Sequence, residues 1–277
     1  MTYDPAAYWG GLVTGDGDLA HVGIPELGPY NRYAYRVRLR GLRRALGAAE
    51  LSGRRVFEAA FGEGFYLPLW AERGAAAVAG VDLVPAAVAA ARARFPSYDL
   101  RAGDLSCAAD LSGFGRFDLV TALDVLYHIV DDAGFAAALA NLAGLLAPGG
   151  RLLLSEKFPA RAPFQRFPHV RRRPLGRYRE ALEPLGLRLL RLVPVLCLMD
   201  EPITVGAHPA LGALCALQWR AGTKALRLAA RRPRIRSALA ALVAGAQALP
   251  ERALLRLLAR VPNTEIAVWE RAGGASG

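Results

Sequence analysis

Residues Arg54–Asp82 read RRVFEAAFGEGFYLPLWAERGAAAVAGVD, and this stretch decides the fold. Arg54–Ala60 is a short apolar run with one acid, Glu58; it gives way to Gly62 and Gly64, after which Phe65–Arg73 takes up helical spacing. That change of period predicts a strand, a tight turn and a helix. A second apolar run, Ala76–Val81, ends in Asp82. Two parallel strands joined by a helical crossover place Glu58, the glycine turn and Asp82 at one end of an open α/β sheet, the end at which such sheets bind ligands.

Two cofactor classes use such a unit. A dinucleotide site needs a small residue three positions after the second glycine, and its turn faces an anionic pyrophosphate. Here that position is Leu67, and Glu58 and Glu63 would both lie near the phosphates, where carboxylates repel anions. A cationic ligand suits the turn better.

The acid followed by glycines at alternate positions resembles the first motif of the class I S-adenosylmethionine-dependent methyltransferases. Glu58 takes the acid position, Gly62 and Gly64 fill the last two glycine positions, and Ala60 stands where the family has the first. Alanine reaches positive φ less easily than glycine but adds only a methyl group, so it narrows the turn without abolishing the site. The resemblance implies an α/β fold with a Rossmann-like, seven-stranded, mostly parallel sheet and helices on both faces, with S-adenosylmethionine as cofactor. It also implies that Asp82 binds the ribose hydroxyls and that Asp104, in RAGDLS, approaches the adenine amino group. Phe65, Leu83, Leu105, Ala122, Leu123 and Tyr127 complete the expected cofactor contacts.

The later segments follow in the family's order. Pro85 opens an alanine-rich helix, SYDLRAGDLS is a third strand ending at Asp104, and Phe117–Ala122 is a fourth. Asp131–Leu146 is a helix, and APGGRLLLSEKF matches the family's proline-glycine-glycine turn into a fifth strand. The ordered motifs cover about residues 54–158. Beyond them, Arg171–Arg173 reads as a solvated basic face, GRYREALEPLGL as a helix, Arg188–Leu198 as a sixth strand and TEIAVWERA as the last. Residues 203–262 are too long for a connection and carry two helical patterns, which predicts a helical insertion or cap. The expected organisation is an N-terminal helical lid (1–50), a cofactor-binding core (51–202), the insertion (203–262), and a last strand with tail (263–277).

The N-terminal segment is rich in aromatics, and YNRYAYRVRLRGLRRAL from Tyr30 reads as a helix stopped by Gly47. Family resemblance makes Tyr8, Trp9, Tyr30 and Tyr33 part of a lid that binds the acceptor; the alternative is that they anchor the segment to the sheet.

The chain has 277 residues, is 53% hydrophobic and carries a formal charge of +11. Lysine occurs only at Lys157 and Lys224, so the charge is almost wholly arginine, which a GC-rich coding bias also produces. Nucleic acid is therefore disfavoured as a partner, and an anionic small substrate, an acidic carrier or peripheral contact with an anionic membrane remains open, as does the oligomeric state. Ile203–Trp219 is uncharged but too short to span a bilayer. Three dispersed cysteines and an N-terminus without a basic head and apolar core predict a reducing, cytoplasmic setting.

Methyl transfer from a sulfonium is an in-line displacement, so holding the reactants in near-attack geometry supplies most of the catalysis. A base is needed only when the acceptor must lose a proton. His128, just after the fourth strand, is the leading candidate, because imidazole titrates near neutral pH; a histidine hydrogen-bonded within its turn is the competing reading. Glu156, Asp124 and Asp200 are weaker candidates. There is no proline-proline-tyrosine motif after the fourth strand, no cysteine placed to attack a pyrimidine, and no metal-ligand spacing. The expected function is methyl transfer to oxygen, nitrogen or carbon of a small, lipophilic metabolite. The alternatives are an RNA or protein methyltransferase and a cofactor-binding protein that does not methylate.

Overall fold

The computed structural model describes residues 3–13, 27–47, 51–160, 163–203 and 209–273. Parts of the expected lid and insertion, 14–26, 48–50 and 204–208, lie outside the described residues. The stretch read first forms β1 (Arg55–Ala59), α3 (Leu67–Glu72) and β2 (Ala77–Asp82), preceded by α1 (Pro5–Gly10) and α2 (Tyr30–Leu46). There follow α4 (Pro85–Arg94), β3 (Asp99–Ala102), β4 (Phe117–Leu123), α5 (Asp132–Gly144) and β5 (Leu146–Glu156). The remaining elements are β6 (Phe164–Phe167), β7 (Val170–Arg172), α6 (Leu175–Leu182), β8 (Leu187–Pro194), α7 (Pro209–Leu228), α8 (Pro233–Leu257) and β9 (Glu265–Arg271).

Seven strands form one sheet in the order β3-β2-β1-β4-β5-β9-β8, with β9 antiparallel to both its neighbours. The chain moves outward from β1 through β2 to β3 and then crosses to β4 on the other side of β1, so the strand order reverses between β1 and β4. A crevice opens at such a reversal because the two flanking connections leave in opposite directions. Successive residues in the strands face opposite sides: Val56, Val78 and Leu119 pack with α2, α3 and α4, whereas Phe57, Val120 and Leu154 pack with α5 and α6. Burial on both faces explains the continuous apolar runs.

Two expectations change. The sixth strand stops at Pro194 instead of Leu198, because the next N–H groups find other acceptors: those of Val195 and Leu196 bond to the Thr264 carbonyl, and those of Cys197 and Leu198 to the Glu251 carboxylate. The arginine run is not a solvated face. It lies at the β6–β7 hairpin, where Arg172 and Arg173 are buried and Arg171 and Arg173 both ion-pair with Asp132.

Helix α8 packs on α2 and α7 packs on α8. The Tyr30 hydroxyl donates to Gln247, and Glu251 holds the chain after β8. By length and composition α8 could cross a membrane, yet Gln247 and Glu251 are buried on its inner face.

Candidate active site

The turn after β1 carries three residues at positive φ: Ala60 (51°), Gly62 (53°) and Gly64 (74°). Among the described non-glycine residues, only Asp124, one residue past β4, shares that conformation, at 57°. These two strained positions therefore flank the strand-order reversal. An L-residue in this region is held there against a cost of roughly 1–2 kcal/mol, as residues at functional sites often are. Glycine removes the clash at the expense of a more flexible unfolded chain, so Ala60→Gly is expected to stabilise the protein by roughly 0.5–1 kcal/mol, read as a raised melting temperature. A lowered melting temperature would contradict the strain.

Asp82, at the end of β2, accepts from the Gly62 N–H at 2.8 Å and from the Val84 N–H at 2.9 Å. Its carboxylate is buried, and burial raises its pKa against those two hydrogen bonds. A Cβ built on Gly62 would meet nothing within 4 Å, so open space lies beside the turn next to an acceptor-rich carboxylate. These residues fit S-adenosylmethionine: Asp82 would supply acceptors for ribose hydroxyls, and the turn leaves room for close backbone approach.

Glu58 is placed differently from the expectation of a carboxylate facing the ligand. It is buried and accepts from the Trp70 indole N–H, and burial raises its pKa to about 8, so it carries little charge at neutral pH. Its role here is to tie β1 to α3. Phe65 lies edge-on to Tyr35 and Tyr66 beside the turn, and Leu83 is half-buried after β2. Asp104 is exposed and accepts from the Ser106 N–H and hydroxyl, while Leu105, Ala122 and Leu123 are buried.

Trp9 on α1 reaches the turn after β4, and Tyr8 reaches the turn between β6 and β7. Trp9 packs edge-on to His128 with centroids 4.4 Å apart, and Tyr8 stacks on His169 at 4.5 Å. Gly10 lies beside Val84 at the start of α4, so α1 crosses the mouth of the crevice. Tyr30 and Tyr33 do not join this group. Tyr30 is buried against Trp219 and Gln247, and Tyr33 lines a groove of about 580 Å³ between α2 and α8. For these two the anchoring alternative fits the geometry better than acceptor binding.

His128 donates from or accepts at Nδ1 with the His169 carbonyl, 2.8 Å away; a carbonyl can only accept, so Nδ1 carries the proton. Burial, with His169 and Arg172 nearby, holds its pKa down to about 3. Such an imidazole stays neutral at ordinary pH and is a weak proton acceptor, which removes the near-neutral titration on which the base assignment rests.

At the ends of β4 and β5 the weaker base candidates Asp124, Asp200 and Glu156 meet residues that the sequence did not single out, Arg38, Ser155 and Lys157. Arg38 on α2 ion-pairs with Asp124 at 3.2 Å and with Asp200 at 2.9 Å, and Asp200 pairs with Lys157 at 2.9 Å. Ser155 donates to Asp124 at 3.0 Å. Beside this network lie Glu156, Tyr127, Arg172 and Tyr178. Helix α2 holds many arginines, and no local signal distinguishes Arg38 from the others.

Residues 56–150 match the family model for a methyltransferase domain. The chain is 32% identical over 117 residues to a ubiquinone biosynthesis O-methyltransferase of Neisseria meningitidis, covering 39% of this chain and 46% of the relative. It is 38% identical over 109 residues to a probable S-adenosylmethionine-dependent methyltransferase of Mycolicibacterium smegmatis, covering 39% and 40%. The chain thus matches less than half the length of these curated relatives. Among solved structures, the [4+2]-cyclase SpnF aligns with a TM-score of 0.52 at 20% identity over 86% of this chain and 81% of that one, a likeness of fold. The glycine turn, the sheet order and the matched residues agree: residues 56–150 carry a methyltransferase domain with the class I, S-adenosylmethionine-dependent arrangement.

Proposed function

We propose that this protein transfers the methyl group of S-adenosylmethionine to a small, lipophilic metabolite. The observation that carries the reading is α1, which lays Tyr8 and Trp9 across the crevice at His169 and His128. An aromatic cover over a crevice suits a small apolar acceptor that can be enclosed, and it would obstruct a polymer. The Neisseria relative is named for ubiquinone biosynthesis, which is methylation of a small molecule and not of a polymer. Ile235, Leu242, Leu249 and Leu257 are exposed along α8, with Arg252 and Arg256 on the same helix, a surface suited to peripheral contact with an anionic membrane from which such an acceptor could be drawn.

Incubation with methyl-labelled donor and separate pools of RNA, protein and lipid extract tests the reading. Label is expected in the lipid extract. Label confined to RNA or protein would overturn the choice of a small acceptor, and no label in any pool, despite donor binding, would support a cofactor-binding protein that does not methylate.

A further inference from the structure

Two buried side chains beside the end of β5, Glu156 through its carboxylate and Arg172 through Nε and Nη1, have polar atoms without a well-formed hydrogen bond, and the Tyr178 hydroxyl stands close enough to the Glu156 carboxylate to interact with it but outside good hydrogen-bond geometry. Glu156 is 0% exposed, Arg172 8% and Tyr178 1%. Buried polar atoms in native proteins are nearly always satisfied, so a cluster of exceptions marks a place where another molecule completes the bonding.

Among the surrounding charged groups Arg38 keeps Nη1 without a hydrogen-bond partner but is ion-paired with both Asp124 and Asp200, and the others are committed. Asp124 is held by Arg38 and Ser155, and Lys157 by Asp200 and the Glu201 carbonyl. Arg173 is held by Asp132 and the carbonyls of Ile129, Val130 and Asp131. Glu156 and Arg172 are left, on β5 and β7. They feel one another electrostatically but form no ion pair. Glu156 ends the strand beside β4, whose own end carries the strained Asp124 at the strand-order reversal.

The missing group must give a proton to a carboxylate and accept a hydrogen bond from a guanidinium. A hydroxyl does both. An ammonium would be repelled by Arg172, and a neutral amine would lose to Arg172 the single lone pair with which it must attack. Oxygen has two, so one can rest on Arg172 while the other attacks.

We propose that Glu156 and Arg172 bind the acceptor, a weakly acidic hydroxyl of phenol or enol type on a lipophilic skeleton, with Glu156 as the base that removes its proton; this rests on the methyl-transfer reading above. The O–H electron pair stays on oxygen as the proton passes to the Glu156 carboxylate. A lone pair of that oxygen forms the O–CH3 bond while the S–CH3 bond breaks, and the electrons of that bond return to sulfur. The products are a methyl ether, S-adenosylhomocysteine and protonated Glu156, which gives its proton back to solvent. Arg172 holds the oxygen as negative charge develops on it.

The groups facing Glu156 support this role. Burial raises its pKa to about 8, with Asp124 adding to the rise and Tyr178, Arg172 and Arg173 opposing it; Tyr127 also faces it. A carboxylate of that basicity is closer to a phenol, at about 10, than an ordinary one is, which favours proton transfer.

The test uses the full chain, labelled S-adenosylmethionine and a panel of 2-naphthol, catechol, 4-hydroxycoumarin, 4-nitrophenol and 2-naphthylamine, with S-adenosylhomocysteine titration as the donor control. Hydroxyl compounds are expected to be methylated on oxygen and the amine left unchanged. Glu156→Gln should lower kcat for 2-naphthol by roughly 10²–10⁴-fold and abolish a rate increase that the wild type shows as pH rises toward 8. Loss should be much smaller for 4-nitrophenol, which is already ionised, and Glu156→Asp should restore part of the rate. Arg172→Met should slow every hydroxyl acceptor, 4-nitrophenol included. S-adenosylhomocysteine affinity should stay within about twofold throughout.

Methylation of the amine or of carbon only, of no hydroxyl compound, or a Glu156→Gln rate within threefold of wild type with the same pH profile would overturn the proposal while intact donor binding keeps the methyl-transfer reading. Failure of the wild type to bind S-adenosylhomocysteine would remove both.

Discussion

Replacing Arg38 by methionine is expected to lower the melting temperature by on the order of 5–10 °C, because breaking a buried ion pair by removing one partner costs about 3–5 kcal/mol. The Arg38 side chain is 12% exposed and joins Asp124 to Asp200, so its loss leaves Asp124 with the Ser155 hydroxyl and Asp200 with Lys157 and the Glu201 N–H. It also ties α2 to the strand ends. Arg38→Lys should fall between, since an ammonium keeps the charge but not the fork that reaches two acids. A melting temperature within a degree or two of wild type would show that the network is not stabilising.

The pH dependence has a definite sign. Burial would raise the Asp200 pKa, but Lys157 and Arg38 more than offset it and hold it below the usual range. Its contribution is therefore present above the ordinary aspartate pKa and is lost as pH falls through the depressed value, and the deficit of the Arg38 variant should narrow in acid. Glu58 and Glu156 act oppositely. Folded, they keep their protons to about pH 8, whereas the unfolded chain releases them near 4.5, so the stability they allow is full below pH 4.5 and declines as pH rises to 8.

Asp82→Ala is expected to weaken S-adenosylmethionine binding by roughly 10–150-fold, the equivalent of losing a charge-assisted hydrogen bond worth about 1.5–3 kcal/mol. Calorimetric titration at pH 7 measures it, and circular dichroism checks that the variant is folded. The carboxylate also holds the Gly62 and Val84 N–H groups, so Asp82→Asn, which retains an acceptor oxygen, should lose less. Glu58→Gln should change affinity little, because Glu58 is largely neutral and turned to Trp70. Unchanged affinity in a folded Asp82→Ala protein would withdraw the assignment of the donor site.

The sequence by itself determined the sheet and the glycine turn at its strand-order reversal. Apolar runs of strand length, the glycines at 62 and 64 and the acid at 82 are local signals, and the physics behind them is local too: which φ a residue tolerates, where a period changes, which face a strand buries. The fifth strand was legible through its proline-glycine-glycine turn for the same reason. The acceptor side was decided only by tertiary structure. His128 follows the fourth strand as the sequence reading required, but its pKa depends on Trp9 and His169, residues far away in the chain, and their packing removes the proton affinity that a solvated imidazole has. Arg171, Arg172 and Arg173 look alike in sequence. Whether each is paired, buried or left with an unmet hydrogen bond is fixed by Asp132 and Glu156, brought to them by α5 and β5. Desolvation and pairing are properties of a residue's surroundings in space, and chain order does not carry them.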